Sequence, residues 1–467
     1  AVGRSALVTN TTASNNTAVG NDALKLTTTG DRNTAVGGSS MSANTTGSNN
    51  AACGIDALKT NTTGTSNTAV GREALEFNTT GSNNVAIGSQ ALEDNTTGTD
   101  NTALGTSALE GNTTGQQNVA IGSFALDAGT DADSNVAIGY QALSAHTQNN
   151  NVAIGHSAMQ SSTTGGTNVA IGDAAMKDGS GYIQCVAVGA SALEDNNGHR
   201  NTAVGYYALK PNTSGSNSTA VGHETLKANT TGSDNVGLGY HALKTNTTGV
   251  GNVCIGNSAG QAITTGQNNV CLGRGAGLLL TGGSENLLLG RQAGENSGPT
   301  NGSRNVLIGL DTRCATNGQN NLVVASGASA TSKGNNTGFI SPNGGGVYQG
   351  NNSSSWSTTS DRRLKKNIVD NATGLAAIND IRVRNFEYRL PEEVTELDAE
   401  CAISKTGVQL GVIAQELEEV LPDCVKTEST GVKSVDSDNL TWYLVNAVKE
   451  LSAENVALKA RLDAAGI

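Results

Sequence analysis

Apolar and polar positions along the first two thirds of the chain repeat with a period of 17 residues. A typical unit reads Asn84-Val85-Ala86-Ile87-Gly88-Ser89-Gln90-Ala91-Leu92-Glu93-Asp94-Asn95-Thr96-Thr97-Gly98-Thr99-Asp100. Its opening phrase returns with the leading residue at Asn16, Asn33, Asn50, Asn67, Asn84, Asn101, Asn118 and Asn135. It continues through Asn151, Asn168, Asn201, Asn235, Asn252, Asn269, Asn286 and Asn305, with Cys185 and Ser218 on the same beat. Val85 and Ile87 alternate with Ala86 at the period of a short strand, and both are β-branched, so this pair is expected to face a core. Gly88 closes the strand and Ala91-Leu92 supplies a second apolar stitch. Asn95-Thr96-Thr97-Gly98 is turn chemistry, with Gly98 able to take positive φ. Each coil is therefore expected to run strand, corner, strand or helical turn, corner. A fixed period of this length marks a stacked array in which each unit buries its apolar face only against its neighbours. At sheet spacing, about nineteen rungs predict a rod on the order of 90 Å long.

The Val-Ala-Ile-Gly phrase resembles the left-handed parallel β-roll in the heads of trimeric autotransporter adhesins, where an Asn-x-Val-Ala-Ile-Gly motif repeats in a somewhat shorter coil. The resemblance covers most of residues 1–327 and implies an all-β repeat solenoid, here about 17 residues per coil, and a homotrimer. Alanine on the second face of the strand would permit close approach of neighbouring chains. Ala1-Val2-Gly3 matches Ala18-Val19-Gly20, so the sequence is expected to start inside a longer repeat array.

Sixty Gly, 5 Pro and 3% aromatic residues would read as low complexity, but the strict phasing of the apolar positions argues for an ordered solenoid. A net charge of −12 and the lack of a basic stripe argue against nucleic acid as a partner. No apolar run is long enough to insert in a bilayer. The 7 cysteines share no ligand spacing; Cys254 and Cys271 replace the repeat's Ala and Cys53 its Val, as small hydrophobes would. No metal or cofactor is expected. His146, His156, His199, His223 and His241 lie off the regular beat and read as surface or loop residues. The Asn-Thr-Thr triplets match glycosylation acceptors, but they are also what a turn requires. Acids such as Glu93, Asp94 and Glu110 are scattered without the aromatic platforms of a glycosidase groove.

Phase is lost after Asn321-Leu322-Val323-Val324. Residues 328–359 are rich in Gly, Ser and Asn around Phe339, Tyr348 and Trp356 and read as a tip or connector. From Ser360 the composition changes to ordinary charge density with apolar helices, which sets a third region at 360–467. Ser360-Asp361-Arg362-Arg363-Leu364-Lys365-Lys366-Asn367-Ile368 and Gly411-Val412-Ile413-Ala414-Gln415-Glu416, followed by a helical end, closely resemble the C-terminal intramolecular chaperone of phage endosialidases and tail fibres. That self-cleaving serine peptidase family also occurs in giant-virus fibres and in a membrane-bound transcription factor. Its Ser-Lys dyad carries over to Ser360 and Lys365, with cleavage between Thr359 and Ser360. Asp361, Arg363, Asn367, Gly411, Gln415 and Glu416 match the supporting motifs. A lysine can serve as the base once desolvation and nearby positive charge lower its pKa, and Arg362, Arg363 and Lys366 supply such charge. No histidine follows His241, which excludes a Ser-His-Asp triad within this region.

Leu444, Val448, Leu451, Asn455, Leu458 and Leu462 recur at steps of four and three. They form either a heptad seam with a polar register residue at Asn455 or the core face of an amphipathic helix. The whole is expected to be a trimeric virion tail fibre or spike for host attachment, assembled in the host cytoplasm. Its C-terminal α/β-to-helical module would direct trimerisation and then release itself by single-turnover cleavage, without action on external substrates. Expected partners are two further copies, a glycan or protein receptor on the host surface, and tail proteins upstream. The competing readings are a bacterial trimeric adhesin and an ice- or mineral-binding solenoid.

Overall fold

The computed structural model describes residues 1–295, 301–314, 317–326, 330–332, 334–341, 347–349, 357–358, 360, 362–396, 403, 405–428 and 431–466. The chain divides into two compact units, Ala1–Thr359 and Ser360–Ile467. The first is a parallel β-solenoid of about 18 turns with about 17 residues per coil. Each coil contributes one three-residue strand, and successive strands pair in parallel with like residues opposed, as in Val85↔Thr102, Ala86↔Ala103 and Ile87↔Leu104. The rest of the coil is turn and bend, so of the strand or helical turn expected at the second apolar stitch it is a turn that forms. The ladder continues one step past the loss of sequence phase, with Gly338–Ser341 pairing in parallel on Leu322–Ala325. Val347–Gln349 and Ser357–Thr358 then add antiparallel strands within the region read as a tip.

The facing of the strand is the reverse of the sequence expectation. Ala86 is fully buried, while Val85 is half-buried and Ile87 exposed, and the same pattern holds from Thr17–Val19 onwards. In these rungs the inward strand position holds a methyl group, and the larger β-branched neighbours lie outside. Its interior is filled by Ala86, Ala91 and Leu92 and their counterparts, all fully buried. Leu92 reaches that position with φ +53°, and Leu24, Leu58 and Leu109 do the same. A leucine in the left-handed region costs about 1–2 kcal/mol, and burying its side chain returns about 1.5–3 kcal/mol, so the corner is sustained by the core it fills. Gly88 carries φ +138°, and a Cβ there would lie 2.3 Å from the Gly105 carbonyl oxygen. Gly98 is small for close approach rather than for positive φ, since its Cβ would meet Asn95 Oδ1 and Gly115 O at 2.4 Å.

Two columns of buried asparagine join the rungs. In the first, Asn50 N–H donates to Asn33 Oδ1 (3.0 Å), Asn67 N–H to Asn50 Oδ1 (2.9 Å), and Asn50 Nδ2 to Gly64 O (2.9 Å). In the second, Asn61 Nδ2 donates to Asn44 Oδ1 (2.9 Å), Asn78 to Asn61 (2.8 Å) and Asn95 to Asn78 (2.7 Å). Leaving one such amide unpaired would cost about 1–3 kcal/mol. The Asn of these Asn-Thr-Thr triplets is thus buried in the coil, which supports the turn reading over glycosylation. His146 takes an asparagine's place in the second column and is fully buried, a correction to its reading as a surface or loop residue off the regular beat. Its Nδ1 lies 3.1 Å from Ser162 O and its Nε2 2.7 Å from Asn151 Nδ2, and burial pushes its pKa down. Cys185, Cys254 and Cys271 are buried and Cys53 is exposed, all as free thiols.

The core changes its packing code near the end of the array. Where earlier rungs pair a strand Ala with a corner Leu, later ones pair Cys254 with Gly260 and Cys271 with Gly277. A Cβ on Gly260 would lie 2.5 Å from Cys254 Sγ, and one on Gly277 2.7 Å from Cys271 Sγ. Volume moves from the corner to the strand, keeping the interior filled. Gly260→Ala is expected to lower the melting temperature of the solenoid, by overpacking worth about 1–3 kcal/mol. Adding Cys254→Ala should recover part of the loss; a double variant no better than the single would contradict the exchange.

Glu76, Glu93, Glu110 and Asp127 follow the core Leu of four successive rungs and stack in one column. Burial, with Glu110 adding to it, pushes Asp127 up to about 6, and Glu93 and Asp94 are also raised, burial first and acidic neighbours second. A carboxyl raised in the folded state contributes stability that is present below the ordinary carboxylate range and lost as pH rises through 6. Asp127→Asn should therefore raise the melting midpoint at pH 7–8, by about 1–2 kcal/mol after allowance for screening, and leave it unchanged near pH 3. Melting curves at the two pH values check this.

The second unit has its own core of Leu417, Leu421, Cys424 and Tyr443. It contains α1 (Leu375–Asp380), α2 (Ala414–Glu418) and α3 (Ser437–Ala465). Arg384–Phe386 pairs with Gln409–Gly411, and Val425–Thr427 with Lys433–Val435, both antiparallel. Asp436 caps α3 by accepting from the backbone N–H of Asp438 and Asn439. The first half of α3 packs through Tyr443 and Ala447, and Asn446 and Glu450 hold the segment leading into α1. Every residue from Lys449 to Gly466 is exposed.

Candidate functional site

Ser360 opens the second unit and is exposed. The following 3₁₀ turn, Arg362–Leu364, closes with Lys365 N–H donating to Arg362 O at 3.1 Å. That turn brings the Lys365 side chain back towards the start of the segment, where Nζ donates to Ser360 Oγ at 2.8 Å. Five residues of sequence separation thus become one hydrogen bond. Arg362, Arg363 and Lys366 lie on the same exposed stretch, and Leu364 (75%) and Val369 (86%) are among the most exposed large apolar residues described. Asn367 takes φ +53°, which Asn tolerates better than most residues. Thr359 and Asp361 lie outside the described residues.

The second motif has a different place in the unit. Gly411 ends a strand against Phe386, whose ring would lie 3.2 Å from a Cβ at that position. Val412 packs on the core, and Ala414, Gln415 and Glu416 open α2. Glu416 accepts two hydrogen bonds from Arg384, at 2.8 and 3.0 Å, and this guanidinium holds its carboxyl below the usual range. Gln415 is exposed. Sequence reasoning did not find Arg384, because no spacing pattern links residues 32 apart. The motif's residues build and clamp the strand-to-helix corner.

The seam residues Leu444, Val448, Leu451, Leu458 and Leu462 are exposed on α3, at 41–65%. Asn455, also exposed, turns its amide back to Leu451 O at 2.9 Å. Among the described residues of its own unit, nothing buries this face of α3. Among the described residues, no helix is long and apolar enough to cross a membrane.

A serine hydroxyl held by a lysine at hydrogen-bond distance is the arrangement of an activated nucleophile, once the lysine is neutral. Residues 360–426 match the family model of the chaperone of endosialidase, Peptidase_S74, beginning at Ser360 itself. That family is a self-cleaving intramolecular chaperone domain, and a repeat β-solenoid followed by such a domain fits a fibre-type protein.

Proposed function

We propose that the chain is a homotrimeric viral fibre or spike protein for host attachment. Its C-terminal unit gathers three chains, directs their folding and then cuts the bond between Thr359 and Ser360. The observation that carries the cleavage reading is the 2.8 Å contact of Lys365 Nζ with Ser360 Oγ, at the first residue of the family match. In the reaction Ser360 Oγ attacks the carbonyl carbon of Thr359 while Lys365 takes the hydroxyl proton. The C–N bond breaks, its electron pair goes to the Ser360 nitrogen, and that amine receives the proton. Water then hydrolyses the ester left on Oγ.

The pair is exposed in the single chain, and an amine accepts a proton only in its neutral form. Covering the site by neighbouring chains would favour that form by desolvation, so cleavage follows assembly. The bare heptad face of α3 supports three-chain assembly: leucines and valines at alternating steps of four and three, with one Asn, are what a short parallel coiled coil requires. A folding aid is needed because near-identical rungs on separate chains can mate one unit out of step at little local cost. The ice-binding alternative has less support, because threonine hydroxyls of the Asn-Thr-Thr turns are engaged within the solenoid. Thr45, Thr62 and Thr79 each donate to the carbonyl of the next rung, at 2.9–3.0 Å.

Ser360→Ala is expected to abolish cleavage, and Lys365→Ala to slow it by about 10²-fold or more. Gel analysis with mass spectrometry should find a fragment beginning at Ser360; any other start, or unchanged cutting in Ser360→Ala, would contradict the mechanism. Leu451→Asp combined with Leu458→Asp should leave single chains that do not cut, measured by light scattering beside the same gel. Efficient cutting by a verified single chain would refute the coupling to assembly.

A further inference from the structure

The outward face of the solenoid's strand column is unusual for a surface. Its two rows are the first and third residues of each strand from Thr17–Val19 to Val306–Ile308, and they hold only Val, Ile, Leu, Thr, Ala and Cys. No charge or amide interrupts them. Val19, Val70, Ile87, Leu104, Ile171 and Leu238 are 37–44% exposed, and the rows run the length of the array. Parallel sheets are as a rule covered on both faces, and an apolar patch of this extent marks an interaction surface. The alanine row covers one face from inside; nothing among the described residues of the solenoid covers the other.

We infer that this outward Val/Ile/Thr face, not the alanine face, is where solenoids of separate copies of the chain pack together. The repeat itself selects the occupant. A partner that stays matched over so many rungs must have the same rise per rung, and a second copy of this solenoid has it. Copies meeting in register on these rows place no like charges against one another. Meeting on the column of Glu76, Glu93 and Glu110 would stack carboxylates where burial, and after it Glu73, Glu110 and Asp94, already raise the pKa of Glu93 within one chain. The threonines and valines at the first strand position are short enough for close approach, and the third position supplies the larger contact. This inference takes the number of copies from the trimer reading above but is independent of cleavage.

The test uses the full chain and light scattering with circular dichroism. Ile87→Glu, Ile121→Glu and Ile154→Glu together put three charges on the outward row without entering the core. Thr80→Glu, Thr97→Glu and Thr114→Glu put three on the exposed turn corner as a control. The wild type and the corner variant should scatter as several chains, and the strand variant as fewer, with its β signal kept. Should the strand variant lose its β signal, the milder Ile87→Ala, Ile121→Ala and Ile154→Ala decide, with dissociation expected at higher concentration than for the wild type. Unchanged assembly in the strand variant, or unchanged dissociation in the alanine set, overturns the inference. If only the Leu451 and Leu458 changes disperse the chains, the trimer reading stands and this surface is wrong. A single-chain mass for the wild type would remove both.

Discussion

Every coil of the solenoid depends on polar groups that only the next coil can satisfy. The buried Asn amides donate and accept across the rung boundary, and their removal from water is tolerable because each is paired. This requirement fixes where each return must close on the amide of the neighbouring rung, and it holds over 17 residues in most rungs and over 19 between Asn286 and Asn305. Coils of 16 residues, such as Asn135 to Asn151, keep the bond at 2.9 Å by shortening the polar loop instead. The hydrophobic interior, one Leu and two Ala per rung, is too small to set register alone, so directional hydrogen bonds do it.

The same economy of space decides which side chains face out. An interior that in most rungs takes Ala from the strand leaves Val and Ile outside, and a corner that needs Leu inside must adopt a left-handed backbone to place it. Rungs built on Cys254, Cys271 and Leu288 show the rule from the other direction, with Gly260, Gly277 and Gly294 at the corner where the strand residue is larger. The molecule thereby carries its apolar surface on the outside of a sheet, where it invites association, and its amides on the inside, where they secure the stack.

Much of this was legible in the sequence. Period, strand position, parallel stacking and the change of character at Ser360 all follow from a repeat that is visible without coordinates. Strand facing was not, because Val85-Ala86-Ile87 alternates equally well with either face inward; coil thickness decides, and thickness is a property of the closed turn. His146 was misplaced because it stands where other rungs have Asn, and only the stacked structure shows that its ring nitrogens replace an amide. At the candidate site, Ser360 and Lys365 were readable from their motif and spacing, whereas the Arg384 to Glu416 clamp was not, being made between a strand and α2. The seam on α3 was ambiguous between core and coiled coil. Among the described residues of the second unit this face is exposed, whereas a core face would be buried.

In the proposed function the C-terminal unit acts in folding rather than in stability. Rung-to-rung bonds hold the solenoid once formed, whereas choosing among equivalent unit shifts between chains needs an external guide. The most direct measurement compares two samples of residues 1–359: one left after self-cleavage of the full chain, the other expressed without residues 360–467. Light scattering and thermal melting should show the first as homogeneous trimers with a single sharp transition, and the second as aggregates or mixed assemblies with a broad one. Identical masses and melting curves for the two would contradict the central claim and leave the C-terminal unit without a role in folding.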